Sequence, residues 1–223
     1  MTTPRTTPPK GLLVDYGGVL TTDVFVSFDA FCAWEGLPPG SVRDLFRTDP
    51  VARELLAGLE DGTLPEPEFE RRFAELLRVE PDGLIERLMG GTADDVVMLD
   101  FVRAARRHGI RTGLISNSWG VDRYDRVLLG ELFDGVVISG DVGMRKPSPE
   151  IYALGAQAVG LAPDECVYVD DLRGNLKPAR ALGMTTLHHQ DTESTIGTLR
   201  TLLGVGPLTI GSVLQAGTGA QRR

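Results

Sequence analysis

The sequence predicts an α/β fold: a doubly wound parallel sheet interrupted by a small α-helical insertion. Three observations carry this expectation. Short continuous apolar runs, "GLLVDYG", "RTGLISNS", "GVVISG", "CVYVDD" and "TTLHH", end in polar or glycine residues. Runs of this length suit strands buried on both faces. Helical patterns separate the later runs, as in successive strand–helix–strand units. Between the first and second runs lies far more chain than one crossover helix needs, and most of it reads as helix.

Taken in order, "GLLVDYG" is the first strand and delivers Asp15 just ahead of Gly17 and Gly18. Alternation along a strand places Tyr16 on the face opposite Asp15. The insertion holds "FVSFDAFCAWEG", "SVRDLFR", "VARELLAGLEDG", "EPEFERRFAELLR" and "DGLIERLMGG". Phe69, Phe73, Leu76 and Leu77 fall at helical spacing and predict an apolar stripe of core packing. Beyond it, "VVMLDFVRAARRHG" stops at Gly109. "SPEIYALGAQAVG" opens with Ser148 as N-cap and Pro149 at the first helical position. "NLKPARALGM" and "ESTIGTLRTLLG" are the last two helices. The division expected is an α/β core over 11–21 and 93–205 and a helical cap over 22–92. Residues 1–10 and 206–223, rich in Pro and Thr or in Gly and Ser, read as disordered tails.

Bulk properties narrow the function. The chain has 223 residues and a net charge of −8, which argues against nucleic-acid binding, since phosphate backbones need concentrated Lys and Arg. A small anionic ligand is still compatible, because a local pocket of donors can oppose the global field. Cys32 and Cys166 lie far apart without a CxxC partner and read as buried thiols of a reducing compartment. No run approaches membrane-spanning length, and the N-terminus lacks the apolar core of a signal peptide. These features predict a cytoplasmic protein without membrane partners, as monomer or homodimer.

Open α/β sheets place their sites at the carboxyl ends of the strands. Those ends supply Asp15, then Ser116 with Asn117, then Lys146, then Asp170 with Asp171. Singly, each has an ordinary reading. An Asp ending a strand is usually a turn former, and Lys146 beside Arg145 is usually a solvated charge. Adjacent carboxylates at 170 and 171 are harder to dismiss, because they repel unless a cation or donors offset them. Jointly the set suits phosphate chemistry. A carboxylate attacks phosphorus, a hydroxyl and N–H groups hold the oxygens, Lys neutralises charge, and Mg²⁺ bridges the acidic groups to the phosphate.

Four stretches carry a family resemblance: "DYGGVLT", "LISNS", "KPSPEIY" and "VYVDDLRGN" resemble the four motifs of the haloacid dehalogenase-like hydrolase superfamily. The resemblance runs from about Gly11 to Leu203. "KPSPEIY" and "VDDLRGNLKPARALGM" are particularly similar to the N-terminal phosphatase domains of soluble epoxide hydrolases. It implies a Rossmann-like core, a helical cap that opens and closes, and a Mg²⁺-dependent phosphatase acting on a small phosphorylated substrate through an aspartyl phosphate. By the same resemblance Asp15 is nucleophile and metal ligand. Ser116 and the Asn117 backbone hold phosphate oxygens beside Gly17 and Gly18, and Lys146 pairs with Asp15 and phosphate. Asp171 binds the metal directly, Asp170 acts in its outer shell, Asn175 supports an acidic neighbour or Lys146, and Trp119 lines the pocket or packs.

The departure is Gly17. Family phosphatases carry there an Asp that protonates the leaving group and activates water, while its main-chain carbonyl reaches the metal. Glycine keeps the carbonyl and deletes an acid–base group of a kind that contributes on the order of 10²–10⁴-fold. Three readings follow: a phosphatase that is slow or restricted to good leaving groups, a dehalogenase-type hydrolase, or a protein that binds a phosphorylated ligand or partner without useful turnover. The dehalogenase reading is weakened by Asp170 and Asp171, which suit a cation. The binding reading is weakened by the presence together of Asp15, Ser116, Lys146 and Asp171. In the cap, Glu60, Asp61 and Arg53 are candidates for either pocket or solvent.

Overall fold

The computed structural model describes residues 8–206. Most of each expected tail, 1–7 and 207–223, lies outside the described residues. Pro9 is buried, and the Lys10 backbone N–H donates to the Glu165 carbonyl at 2.8 Å. Pro9 and Lys10 thus pack against the sheet domain although composition assigns them to the tail.

Five parallel strands form the sheet in the order β3-β2-β1-β4-β5. They are β1 (Gly11–Val14), β2 (Arg111–Ser116), β3 (Gly135–Ile138), β4 (Cys166–Asp170) and β5 (Thr185–His188). These are the runs read from the sequence; β1 and β4 are buried along their whole length because helices cover both faces, whereas the edge strand β5 is only partly buried. Leu12 and Val14 face α6 (Val96–Arg107), α7 (Arg126–Leu132) and α11 (Thr192–Leu203). Leu13 faces α9 (Pro149–Ala158) and α10 (Arg173–Ala181). The chain leaves β1 toward β2 and β3, then returns to the other side for β4 and β5. The strand order thus reverses between β1 and β4, where an open sheet leaves its crevice.

Helix starts follow local chemistry. Asp95 and Asp125 accept from the second and third backbone N–H groups of α6 and α7, at 2.9–3.1 Å, satisfying donors that have no partner inside the helix. Ser148 is the residue before α9 and Pro149 its first, but the Ser148 hydroxyl donates to the Glu150 carboxylate instead of capping.

The chain from 22 to 92 folds into five helices: α1 (Val24–Trp34), α2 (Ser41–Thr48), α3 (Pro50–Glu60), α4 (Glu66–Leu77) and α5 (Leu84–Met89). They share a core of their own, with Phe28, Phe31, Leu55, Phe69, Phe73 and Ile85 buried. Leu76 of the anticipated stripe is only partly buried at its edge. Burying a side chain of this size stabilises by about 1.5–3 kcal/mol. The two chain segments that join it to the sheet run side by side. Thr22 N–H donates to the Ala93 carbonyl and Asp95 N–H to the Leu20 carbonyl, both at 2.8 Å, and Thr21 bridges Asp94 in antiparallel fashion. One short stem therefore carries the whole insertion. Cys32 is buried in the insertion and Cys166 in the layer below the sheet. Among the described residues no helix is long and apolar enough to cross a membrane.

Candidate active site

The centre of the site is a buried ammonium between two carboxylates. Asp15 follows β1 directly, and its N–H continues the sheet by donating to the Val169 carbonyl at 2.9 Å. Its Oδ1 accepts from the Tyr16 N–H and from Lys146 Nζ, both at 2.6 Å. Lys146 Nζ also reaches Asp170 Oδ2 at 3.0 Å. Lys146 is 2% exposed and Asp170 fully buried, so this is not the solvated lysine that the pair Arg145–Lys146 would ordinarily be.

Asp170 is spent on holding that arrangement. Besides Lys146, it accepts from the Tyr168 hydroxyl, from the Leu172 N–H at 2.8 Å, and from Asn175 Nδ2 at 3.0 and 3.1 Å. Asn175, in the first turn of α10, thus braces Asp170 rather than contacting Lys146. Asp171 stands in the next turn, its main-chain carbonyl accepting from His188 Nε2 at 2.9 Å. Ligand oxygens of Asp15, Asp170 and Asp171 lie within 4.8 Å of one another.

Ser116 ends β2, beside β1, and its hydroxyl lies 2.8 Å from the Tyr124 hydroxyl. Asn117 turns its side chain to the loop of Lys146: its Oδ1 accepts the Lys146 N–H at 2.8 Å, and its Nδ2 donates to the Lys146 carbonyl at 3.1 Å. Gly17 and Trp119 line the same cavity as Asp15. Trp119 also packs on the insertion, its ring 5.6 Å from Phe28 and 5.9 Å from Phe46, so lining and packing coincide. Gly18, with φ +72°, turns the chain where a side chain would collide with Asp171. Asp15, Gly17, Ser116, Asn117, Trp119, Lys146, Asp171 and Asn175 line one cavity, and Gly18 and Asp170 lie directly against residues of that lining.

Charge balance follows from burial. Burial raises the Asp15 carboxyl to about 8; Asp170 and Asp171 reinforce this, and Lys146 opposes it. Burial, then Asp170, raises Asp171 to about 6. Burial works against the Lys146 charge, but Asp15 and Asp170 outweigh it and hold its pKa above the ordinary value. The three carboxylates outnumber the one ammonium among them, so the cluster favours either a proton or a cation. Oxygen donors at this spacing are what a hard divalent ion takes. Asp15 and Asp171, whose oxygens are less committed than those of Asp170, are the ligands that fit.

The cavity above this floor encloses about 670 Å³. Its walls are mostly apolar: Phe25, Phe28, Phe46, Leu56 and Met89 come from the insertion and Trp119 from the core, while Thr21, Thr92, Asp94 and Arg123 add polar groups. Of the cap candidates none lines it. Arg53 is exposed, Asp61 accepts from the Thr63 N–H at 3.0 Å, and Glu60 is buried against Arg145. Tyr16 corrects an expectation. The strand ends at Val14, so alternation no longer applies, and Tyr16 lines the cavity edge-on to Tyr124 with ring centroids 5.2 Å apart.

Tyr124, Tyr168 and Glu60 are contributors that sequence reasoning did not place. Tyr168 had a signal: it lies two residues before Asp170 on one strand and hence on the same face, and a buried phenol needs a partner. Nothing local marks Tyr124, eight residues beyond Ser116 in an irregular loop.

A family model described as haloacid dehalogenase-like hydrolase matches residues 9–183. Bifunctional epoxide hydrolase 2 of Rattus norvegicus is 35% identical over 114 residues, which cover 48% of this chain and 21% of that protein. The chain thus matches about a fifth of that relative's length. A sesquiterpene phosphatase of Aspergillus oryzae is 26% identical over 72% of this chain and 92% of its own. A glyceraldehyde 3-phosphate phosphatase of Methanopyrus kandleri is 31% identical over 40% of this chain and 42% of its own. Among solved structures, a haloacid dehalogenase-family enzyme of Bacteroides thetaiotaomicron superposes with TM-score 0.66 at 22% identity, covering 86% of this chain and 99% of that one. Its complex with magnesium and inorganic phosphate superposes with TM-score 0.63, also at 22% identity, over 84% of this chain and 98% of that one.

Proposed function

We propose, from the premise that this chain belongs to the haloacid dehalogenase-like hydrolase family, that the hydrolase is a Mg²⁺-dependent phosphatase for phosphate monoesters of apolar alcohols. The observation that carries the reading is the Lys146 ammonium bridging Asp15 and Asp170 at the floor of an apolar cavity. The floor suits a phosphoryl group and the walls suit a hydrocarbon body. The similarity to a sesquiterpene phosphatase supports that substrate class, and the helical insertion that supplies most of the walls acts as a cap over it.

In this mechanism Asp15 attacks phosphorus, the P–O bond to the alcohol breaks, and a phosphoryl-Asp15 forms. The alkoxide takes its proton from solvent; water then attacks that phosphorus, the bond to Asp15 breaks, and dihydrogen phosphate leaves with both water protons as the Asp15 carboxylate is restored. The Tyr16 N–H and Lys146 hold one Asp15 oxygen, which fixes the carboxylate for in-line approach. Ser116 and Lys146 donate to the phosphoryl oxygens as their charge changes. Asp15, Asp171 and the Gly17 carbonyl would hold Mg²⁺, with Asp170 in its outer shell. When bound, the ion offsets carboxylate repulsion and draws charge from the phosphoryl oxygens. No carboxylate at 17 protonates the departing alkoxide, so turnover depends on the leaving group.

A panel of terpenyl, alkyl and aryl phosphates, with small sugar phosphates and haloacids alongside, tests the reading in Mg²⁺ and in EDTA. Mg²⁺-dependent phosphate release favouring apolar esters is the expected result. Turnover of haloacids without metal, or of polar sugar phosphates above all others, would overturn it. Gly17 also favours a second reading, in which phosphoesters bind without useful turnover. Stabilisation by tungstate or phosphate with no hydrolysis of any ester would identify that case.

A further inference from the structure

Glu60 is a carboxylate of the insertion, 7% exposed, that reaches across to the sheet domain. Its Oε2 accepts from Arg145 Nε at 2.6 Å and from Asn117 Nδ2 at 3.2 Å. Its main-chain carbonyl accepts from the Ser139 hydroxyl, whose oxygen in turn accepts the Ser118 N–H at 2.8 Å. The end of α3 is thus tied at once to the loop after β2 and to the first residue of α8 (Ser139–Val142), the one-turn helix that follows β3. The Asn117 amide that meets Glu60 is the one that clasps Lys146, taking its N–H and giving to its carbonyl. Arg145, the other partner of Glu60, is the residue immediately before Lys146.

A buried carboxylate is costly unless its partners are in place, and these partners are complete only while α3 rests on the sheet domain. We propose that Glu60 is a positioning residue: through Asn117 and Arg145 it fixes the loop that aims Lys146, so that seating of the insertion and placement of the ammonium are one event. Without Glu60 the Arg145 guanidinium loses its buried partner, and the Asn117 amide is freer to rotate away from Lys146. Displacing a reacting group by about 1 Å can lower turnover about 10²-fold. This inference rests on the reading of Lys146 as a group that handles the phosphoryl oxygens.

The test compares Glu60→Ala, Glu60→Gln and, as a control, Glu35→Gln in the full chain. Glu35 pairs with Arg87 at 2.8 Å inside the insertion and touches nothing of the site. With p-nitrophenyl phosphate and Mg²⁺, Glu60→Ala should lose about 10–100-fold in kcat while KM moves less than about threefold. Glu60→Gln, which still accepts from Asn117, should recover part of that loss. Glu35→Gln, at a similar fall in Tm, should leave kcat within about twofold of wild type. Hydrogen exchange of the Lys146 amide should quicken in Glu60→Ala and not in Glu35→Gln. Normal kcat and exchange in Glu60→Ala, or equal losses in the control, would overturn the proposal. A wild-type protein without phosphatase activity would overturn the phosphatase reading alone, and the exchange comparison would still decide the role of Glu60.

Discussion

Asp171 Oδ2 stands 2.6 Å from the point where a Cβ on Gly18 would lie. The glycine is therefore required twice, once by its φ of +72° and once by the carboxylate that occupies the space of its side chain.

Gly18→Ala should consequently displace Asp171 and strain the backbone, at about 1–2 kcal/mol for the left-handed conformation. Shifts in groups that set a metal ligand typically weaken binding 10–100-fold. The half-saturating Mg²⁺ concentration for phosphatase activity should rise by about that factor, with a lower Tm. Unchanged Mg²⁺ dependence in a folded variant would show that Asp171 does not serve the metal.

Gly17→Asp is the opposite kind of change. Gly17 does not have a positive φ, and a Cβ there meets only Val24 Cγ2, at 3.1 Å, so a small shift of one side chain accommodates it. Under the proposed mechanism the added carboxylate would serve as a proton donor to the leaving group. Alkyl phosphates, whose alkoxides need a proton to leave, should be hydrolysed about 10²-fold faster. p-Nitrophenyl phosphate, with a stable leaving group, should gain only a few-fold. Equal gains on both, read from a leaving-group series, would rule out acid catalysis as what position 17 lacks.

Either hydroxyl of the Ser116–Tyr124 pair can donate, so Tyr124 can set the direction of the Ser116 proton. Burial raises the phenol's pKa, with Asp15 adding to the shift, so Tyr124 stays protonated and can donate to Ser116 Oγ at 2.8 Å. The serine proton is then left pointing to a bound phosphoryl oxygen. Tyr124→Phe should raise the inhibition constant of inorganic phosphate about fivefold, which corresponds to about 1 kcal/mol and is the usual net worth of such a bond. An unchanged constant would make Tyr124 a wall residue only.

Which parts were legible follows from the range of the interactions involved. The central strands β1 and β4 could be read because an apolar run buries each along its whole length, and the edge strand β5 because it follows a helix in the same strand–helix alternation. The helical insertion could be read because Phe69, Phe73 and Leu77 repeat within one helix. Asp15, Ser116 and Asp170 could be read because strand ends converge on one rim. The contacts of Glu60 could not: its partners lie 57 and 85 residues away and meet it only through the placement of the insertion on the sheet domain. Tyr16 shows the same limit locally, since alternation says nothing beyond the last paired residue. Asn117 was marked by its place after Ser116, yet its side chain serves the Lys146 loop, a role that spacing alone does not encode.

The acidic cluster makes metal-free stability depend on pH in an unusual direction. Asp15 is raised to about 8 and Asp171 to about 6, from a value of 3.8 in the unfolded chain. Between about pH 4 and 8 the folded state therefore holds more protons at these sites than the unfolded state does. Stability then falls as pH rises, by at most about 1.4 kcal/mol per pH unit for each full proton. In EDTA the Tm should decline from pH 5 to pH 8. The gain on adding Mg²⁺ should grow over the same window, because the ion binds the carboxylates that the missing protons leave charged. Asp15→Asn separates this contribution from those of other groups. It removes a buried charge that is unfavourable at high pH, so at pH 8 in EDTA it should melt above wild type, with a smaller difference at pH 5. The same variant should have no phosphatase activity, which would make the nucleophile a site where stability is given up for chemistry. A variant that melts below wild type by the same margin at both pH values would mean that the Lys146 pairing outweighs repulsion among the carboxylates throughout.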